Sequence, residues 1–364
     1  MAAPPTPAPV LVFAPGDHPV LSPWRAALAR ELPVAAVWGA DRADLLRRIF
    51  ARFARDAPWM LPLAPWGPPW RAAHGRWLRR RWPTVRAVVF TRPDQAPLLT
   101  GFATERRLYY AIDDYATYGR DWLAAEQTML AQSHRTICVS RSLAAVLAAR
   151  EPTVADRIEV LPNAIPADWL PASPPLRPLP LPENLRLPRP LAGVLGRVSS
   201  RLRLDWLLEV IEREPGLHWL FVGDIEWAEV VAADRPRLER LRRHPRCTFI
   251  GARPFRALRD FAAALDVAVL PYSDRSTNPA GSAVRLFVHL PWAAPLLATP
   301  GCAQVAEFSP LVASCESSAA LAAALAALRA RDFNDGQRIV RWRAARHHTW
   351  EARAAAWLPL LALP

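Results

Sequence analysis

Short apolar runs alternate with amphipathic stretches along the whole chain. In the first half the runs are Val10–Phe13, Val34–Trp38, Ala87–Thr91, Leu108–Ile112, Thr136–Ser140 and Ile158–Pro162. Runs of this length read as strands. Between them, Trp24–Leu32, Arg42–Arg55 and Leu123–Gln132 space their apolar residues as helices do. Strands that are apolar throughout, separated by helical patterns, predict a parallel sheet covered on both faces.

Residues 166–190 interrupt the pattern with nine prolines in 25 positions. Proline removes a backbone donor and clashes inside a helix, so this stretch predicts a semi-rigid linker. The alternation then restarts. Leu191–Leu195, His218–Val222, Cys247–Ile250, Val267–Leu270, Pro295–Thr299 and Leu311–Ser314 read as strands. Leu204–Arg213, Arg235–Arg243, Arg256–Ala264 and Ser318–Arg329 read as helices. The expectation is two doubly wound domains, 1–165 and 191–332, joined by the 166–190 linker. The Arg- and Trp-rich segment 333–364 either finishes the second domain or crosses back to the first.

Composition narrows the function classes. The chain has 364 residues, 52% of them hydrophobic, and so can bury two cores. No run approaches the roughly 18–20 apolar residues of a membrane span. The beginning, MAAPPTPAPVLVFAPGDHP, lacks the basic region and long apolar run of a signal peptide. A cytoplasmic location is therefore expected. Cys138, Cys247, Cys302 and Cys315 form no C-x-x-C pair and imply neither zinc ribbon nor disulfide framework. The formal charge is +13, yet every basic residue is arginine and none is lysine. Together with abundant Ala, Pro and Trp, this indicates GC-rich coding more than a phosphate-tracking surface. With no helix-turn-helix, zinc-finger or ribonucleoprotein pattern, nucleic acid is not the expected partner.

A doubly wound domain binds ligands at the carboxyl ends of its strands. After Val10–Phe13 comes a loop with Gly16 and Asp17, where a sugar or phosphate could sit. After Leu108–Ile112 come Asp113 and Asp114, which serve as base and hydroxyl acceptors or cap the next helix. No His or Glu stands beside them at metal-ligand spacing, so no metal is expected. After Leu191–Leu195 comes Gly196-Arg197-Val198-Ser199-Ser200-Arg201-Leu202-Arg203. Glycine admits close backbone approach, and arginine forks grip phosphate; a solvated turn fits the same residues. Ala280-Gly281-Ser282 forms a small-residue helix entrance whose N–H groups could meet an anion, with Arg285 and His289 on one helix face. No G-x-G-x-x-G, P-loop or G-x-S-x-G appears. Finally, residues 68–86 mix Trp70, Trp77 and Trp82 with six arginines, a composition suited to an anionic membrane surface or to an ordinary amphipathic helix.

Several segments resemble one family in the right order. YYAIDDYATY, TICVSRSLAAVL, IEVLPNAIP, LAGVLGRVSSRLRLDWL, CTFIGARPFRALRDFAAALDVAVLPY and SAVRLFVHLPWAAPLLAT are similar to bacterial family-4-type glycosyltransferases. The resemblance implies the GT-B fold, two Rossmann-like domains facing each other across a cleft. It implies a retaining, metal-independent transfer of sugar from a nucleotide diphosphate-sugar to a saccharide or lipid-linked acceptor, with no cofactor. By the same resemblance Asp113, Arg197 and Arg201 are catalytic. Gly196, Arg203, Tyr272, Ser282, Arg285 and Val288 bind donor, while Gly16, Asp17 and Asp114 lie on the acceptor side.

The chain departs from the pattern at the helix that should hold the ribose. Related sequences place glutamates at the two ends of an E-x7-E motif; here those positions are Ala280 and Val288. Valine accepts no hydrogen bond, and His289, about 100° around the helix, is no simple replacement. Pro291-Trp292-Ala293 replaces a small A-x-G, Ala164 replaces a usual glycine, and Asp113 stands where many relatives carry histidine. Two readings follow: an active glycosyltransferase in cell-surface polysaccharide or glycolipid synthesis at the inner membrane face, or a degenerate GT-B protein that binds a glycan, nucleotide or partner enzyme without turnover.

Overall fold

The computed structural model describes residues 8–14, 18–38, 80, 82–102 and 106–362. They form two units. The first comprises Met1–Pro162 with Trp350–Pro364, the second Asn163–Thr349.

In the first unit, β1 (Val10–Ala14), β2 (Val34–Trp38), β3 (Ala87–Phe90), β4 (Arg106–Ala111), β5 (Arg135–Cys138) and β6 (Ile158–Val160) make one sheet. The order is β2-β1-β3-β4-β5-β6 and every pairing is parallel. Strands β1 and β3 are buried at every position, as continuous apolar runs require. Helices α1 (Leu21–Glu31), α2 (Arg120–Gln132) and α3 (Arg141–Arg150) join the sheet. Helix α3 starts at Ser140, whose side chain accepts the Leu143 N–H. The C-terminal helix Trp350–Leu361 belongs here too. Its Trp357 lies 4.7 Å from Trp24 and 5.0 Å from Tyr110, ring to ring.

In the second unit the alternation runs β7 (Leu191–Leu195), α4 (Leu204–Arg213), β8 (His218–Val222), α5 (Arg235–Arg243), β9 (Cys247–Phe249), α6 (Leu258–Ala263), β10 (Val267–Leu270), α7 (Val284–His289), β11 (Leu296–Ala298), β12 (Ala313–Ser314), α8 (Ser318–Arg329) and α9 (Arg338–Ala345). The sheet order is β12-β11-β10-β7-β8-β9, again all parallel. The period-two geometry of a strand divides its side chains between two cores. Leu191, Leu195, Leu220 and Val222 face one; Ala192, Val194, Trp219 and Phe221 face the other.

The proline-rich stretch differs from a simple spacer. It forms no strand and one short turn of 3-10 helix, Ala167–Trp169, but it packs along the second unit. Leu170, Leu181, Leu185 and Leu187 lie on that unit's core, and Trp169 sits 5.1 Å from Phe255. Leu179 N donates to Ala263 O at 2.8 Å, and Arg189 pairs with Asp266 at 2.9 Å. Leucines interleaved with the prolines give the segment an apolar side. The Arg- and Trp-rich segment from 333 is divided at Thr349 between the two units, and within the second Arg341 is buried against Asp335 and the carbonyls of Leu311 and Ala293.

Candidate functional site

In each sheet the strand order reverses once, between β1 and β3 in the first unit and between β7 and β10 in the second. Loops leaving the carboxyl ends of such strand pairs diverge and open a crevice.

At the second switch point, Gly196 takes φ +97°, a conformation that favours glycine. Its N–H donates to Val222 O at 2.7 Å. A Cβ on Gly223 would stand 2.1 Å from Gly196 O, so two glycines let the loops after β7 and β8 touch. Arg285 reaches across from α7: Nε donates to Leu195 O at 2.7 Å and Nη2 donates to Arg197 O. Its guanidinium lies 5.5 Å from the centre of the Tyr272 ring. Burial pushes the Tyr272 phenol well above its ordinary range.

Arg201 ties the loop after β7 to the loop after β10. Nε donates to Asn278 Oδ1 at 3.2 Å and Nη2 to Thr277 Oγ1 at 2.7 Å. Asn278 Nδ2 answers by donating to the carbonyls of Arg201 and Ser273, at 2.7 and 2.8 Å. Arg197 is the exposed cation of the group, its side chain 58% accessible and Glu229 3.5 Å away. The other two guanidiniums act on Arg285. Burial lowers the Arg285 pKa, and the charges of Arg201 and Arg197 lower it further against the opposing effect of Tyr272. A patch where cations repel and loop glycines expose backbone is suited to an anion.

The structure thus brings Gly196, Arg197, Arg201, Tyr272 and Arg285 together. Other expected donor residues lie elsewhere or are engaged. Arg203 stacks over Trp206 at 4.4 Å and pairs with Asp205, both on its own helix. The helix entrance is not open: Gln304 Oε1 accepts from the Ser282 hydroxyl at 2.7 Å and from Ala283 N at 2.8 Å. Gly281 N donates to Asn278 O and Val284 N to Ser282 O, so these amides are satisfied internally. Val288 is only 3% exposed and belongs to an apolar cluster with Leu286, Phe287, Leu290 and Ala298. Its neighbour His289 is buried with neither ring nitrogen partnered, and burial, then Arg285, pulls its pKa down to about 3. It is a neutral core imidazole.

In the first unit, Asp113 and Asp114 follow β4 as expected. Asp113 Oδ1 accepts from Asp114 N at 3.2 Å and Oδ2 from Tyr118 Oη at 3.0 Å. Asp114 pairs with Arg150 at 2.7 Å. Tyr115 and Trp122 stack 5.6 Å apart, and Arg92 from the loop after β3 covers Trp122 at 5.4 Å. Gly16 and Asp17 lie outside the described residues, as do 68–79 and 81 of the 68–86 segment. Among the described residues no cluster of three His, Cys, Asp or Glu could hold a metal, and no helix is long and apolar enough to cross a membrane.

Sequence reasoning missed Gln304, Thr277, Asn278, Glu126 and Arg150. Each acts through a partner 22 or more residues away, and no local pattern marks it.

No protein-family profile matches the sequence, and no curated protein matches it. Solved structures do match. Anabaena HepE, determined with UDP and glucose, is 13% identical over 97% of this chain and 99% of its own, with a TM-score of 0.68. Sucrose-phosphate synthase from Thermosynechococcus elongatus is 14% identical over 97% and 98%, with a TM-score of 0.70. The lipopolysaccharide outer core galactosyltransferase WaaB, in its apo form, is 11% identical over 96% and 98%, with a TM-score of 0.64. The chain therefore has the GT-B fold, two Rossmann-like units on parallel six-stranded sheets.

Proposed function

We propose that the protein is a glycosyltransferase of the bacterial family-4 type, moving sugar from a nucleotide diphosphate-sugar to an acceptor hydroxyl with retention and without metal. The convergence of Arg197, Arg201 and Arg285 on the Gly196 loop carries this reading. As the bond from sugar to phosphate breaks, negative charge gathers on the departing diphosphate. Cations already fixed there stabilise that charge without reorganising. Arg201 and Arg285 are held by side chains and carbonyls, while exposed Arg197 is the one free to swing onto phosphate. Asp113 is assigned a catalytic role facing the sugar and acceptor, with Gly16, Asp17 and Asp114 on the acceptor side. Because HepE holds UDP and UDP-glucose in its complexes, UDP-sugars are the first donors to try.

The acceptor proposed is a saccharide or lipid-linked glycan of the cell surface. Contact with the inner membrane face is assigned to residues 70–86, through arginine attraction to anionic lipid that salt should screen.

A second reading, binding without turnover, is favoured by one feature: the position expected to bear a ribose-binding acid is apolar Val288 in the core. Donor turnover by wild type and Arg197→Ala separates the two. Loss of a charge-assisted phosphate contact should cost about 1.5–3 kcal/mol in turnover while leaving the fold intact. Equal rates in both proteins would remove Arg197 from the mechanism. Binding of UDP with no turnover of any donor would support the second reading.

A further inference from the structure

Beneath the loop that carries Asp113 lies a polar group which the transfer chemistry does not use. Arg150, the last residue of α3, reaches Asp114 Oδ1 with Nη2 at 2.7 Å and Glu126 Oε2 with Nη1 at 2.8 Å. The Glu126 side chain is 0% exposed, and its other oxygen accepts from Tyr109 Oη at 3.1 Å. One guanidinium therefore joins β4, α2 and α3 to the residue beside Asp113. The contacts continue outward, since Asp114 N and Tyr118 Oη both donate to the Asp113 carboxylate.

We propose that Arg150 is a positioning residue, tied to the buried Glu126, that holds Asp114 and so fixes the orientation of Asp113. The catalytic assignment of Asp113 rests on the function proposed above; the linkage itself does not.

Glu126 is a carboxyl group in a site that disfavours its charge. Burial raises it, the attraction of Arg150 and the hydrogen bonds from Tyr109 and Arg150 lower it, and Asp114 raises it, leaving it at about 7. Above that pH, ionised Glu126 and Asp114 share the Arg150 charge. Below it, Glu126 becomes neutral and Arg150 faces Asp114 alone. The like charge that opposes Asp114 is gone, so the 113–118 turn is held more firmly, and part of that hold is lost as pH rises and Glu126 ionises.

The test is hydrogen exchange of segment 111–118 between pH 6 and pH 8, corrected for intrinsic rates, in wild type, Glu126→Gln, Arg150→Lys and Arg150→Met. Wild type should lose protection in this segment, several-fold, as pH rises through about 7. Glu126→Gln should abolish that step, while Arg150→Lys keeps part of the protection and Arg150→Met loses it. In a transfer assay the wild-type kcat should show an alkaline limb in the same range, absent from Glu126→Gln, with donor KM unchanged. A pH-independent segment in wild type, or protection lost equally across the first unit in every variant, overturns the proposal. Exchange requires no turnover, so a protein that transfers no sugar fails the function while the linkage is still decided.

Discussion

Replacing Val288 with aspartate places a carboxyl group where the structure provides no partner. The side chain is 3% exposed and packed in the apolar cluster of the second unit. Losing the buried isopropyl group forfeits roughly 1.5–3 kcal/mol. An unsatisfied polar group in its place adds about 1–3 kcal/mol. A combined loss of about 2.5–6 kcal/mol in a unit of this size should lower Tm by roughly 5–24 °C. The penalty should depend on pH. Burial raises a carboxyl pKa in the folded state above its unfolded value of about 4. The variant therefore keeps most stability below pH 4, where the acid is neutral in both states, and loses it as pH rises through the raised pKa. Val288→Asn should show a similar loss without that slope. Scanning calorimetry at several pH values, with UDP titrations beside it, measures both effects. Unchanged Tm with tighter UDP binding would refute the reasoning, because it would place position 288 against the nucleotide.

Other changes test the site's scaffolding. Gly223→Ala drives a Cβ to within 2.1 Å of Gly196 O, and should cost about 1–3 kcal/mol in denaturant unfolding. Gln304→Ala removes the acceptor for Ser282 and Ala283, costing about 1–3 kcal/mol, whereas Gln304→Glu should recover much of it by the same measurement. Arg285→Lys keeps the charge but not the fork that spans Leu195 O and Arg197 O; UDP affinity should fall about tenfold by calorimetry, with Tm lowered modestly.

The sheet strands were legible because each is a short apolar run whose hydrogen bonds go to parallel neighbours. Leu191–Leu195, His218–Val222 and Val267–Leu270 agree with the sequence reading residue for residue. So do the ends of Leu204–Arg213 and Ser318–Arg329, whose apolar residues recur at helical spacing. The loop Gly196–Arg203 was legible as chemistry, since glycine and arginine after a strand are local facts. Helix Arg141–Arg150 was not read, being alanine-rich with a weak apolar stripe. What sequence order does not encode is which partners arrive from far along the chain. Tertiary structure alone decided that Arg285 clamps the Gly196 loop, that Gln304 occupies the helix entrance, and that Arg203 turns to Trp206. It also decided that the leucines among the prolines lie on the second unit, and that Glu126 and Arg150 meet under Asp114. Local patterns depend on backbone period and solvent preference, which each segment carries by itself. A buried charge or amide is satisfied by whichever group packing delivers, and that is a property of the folded whole.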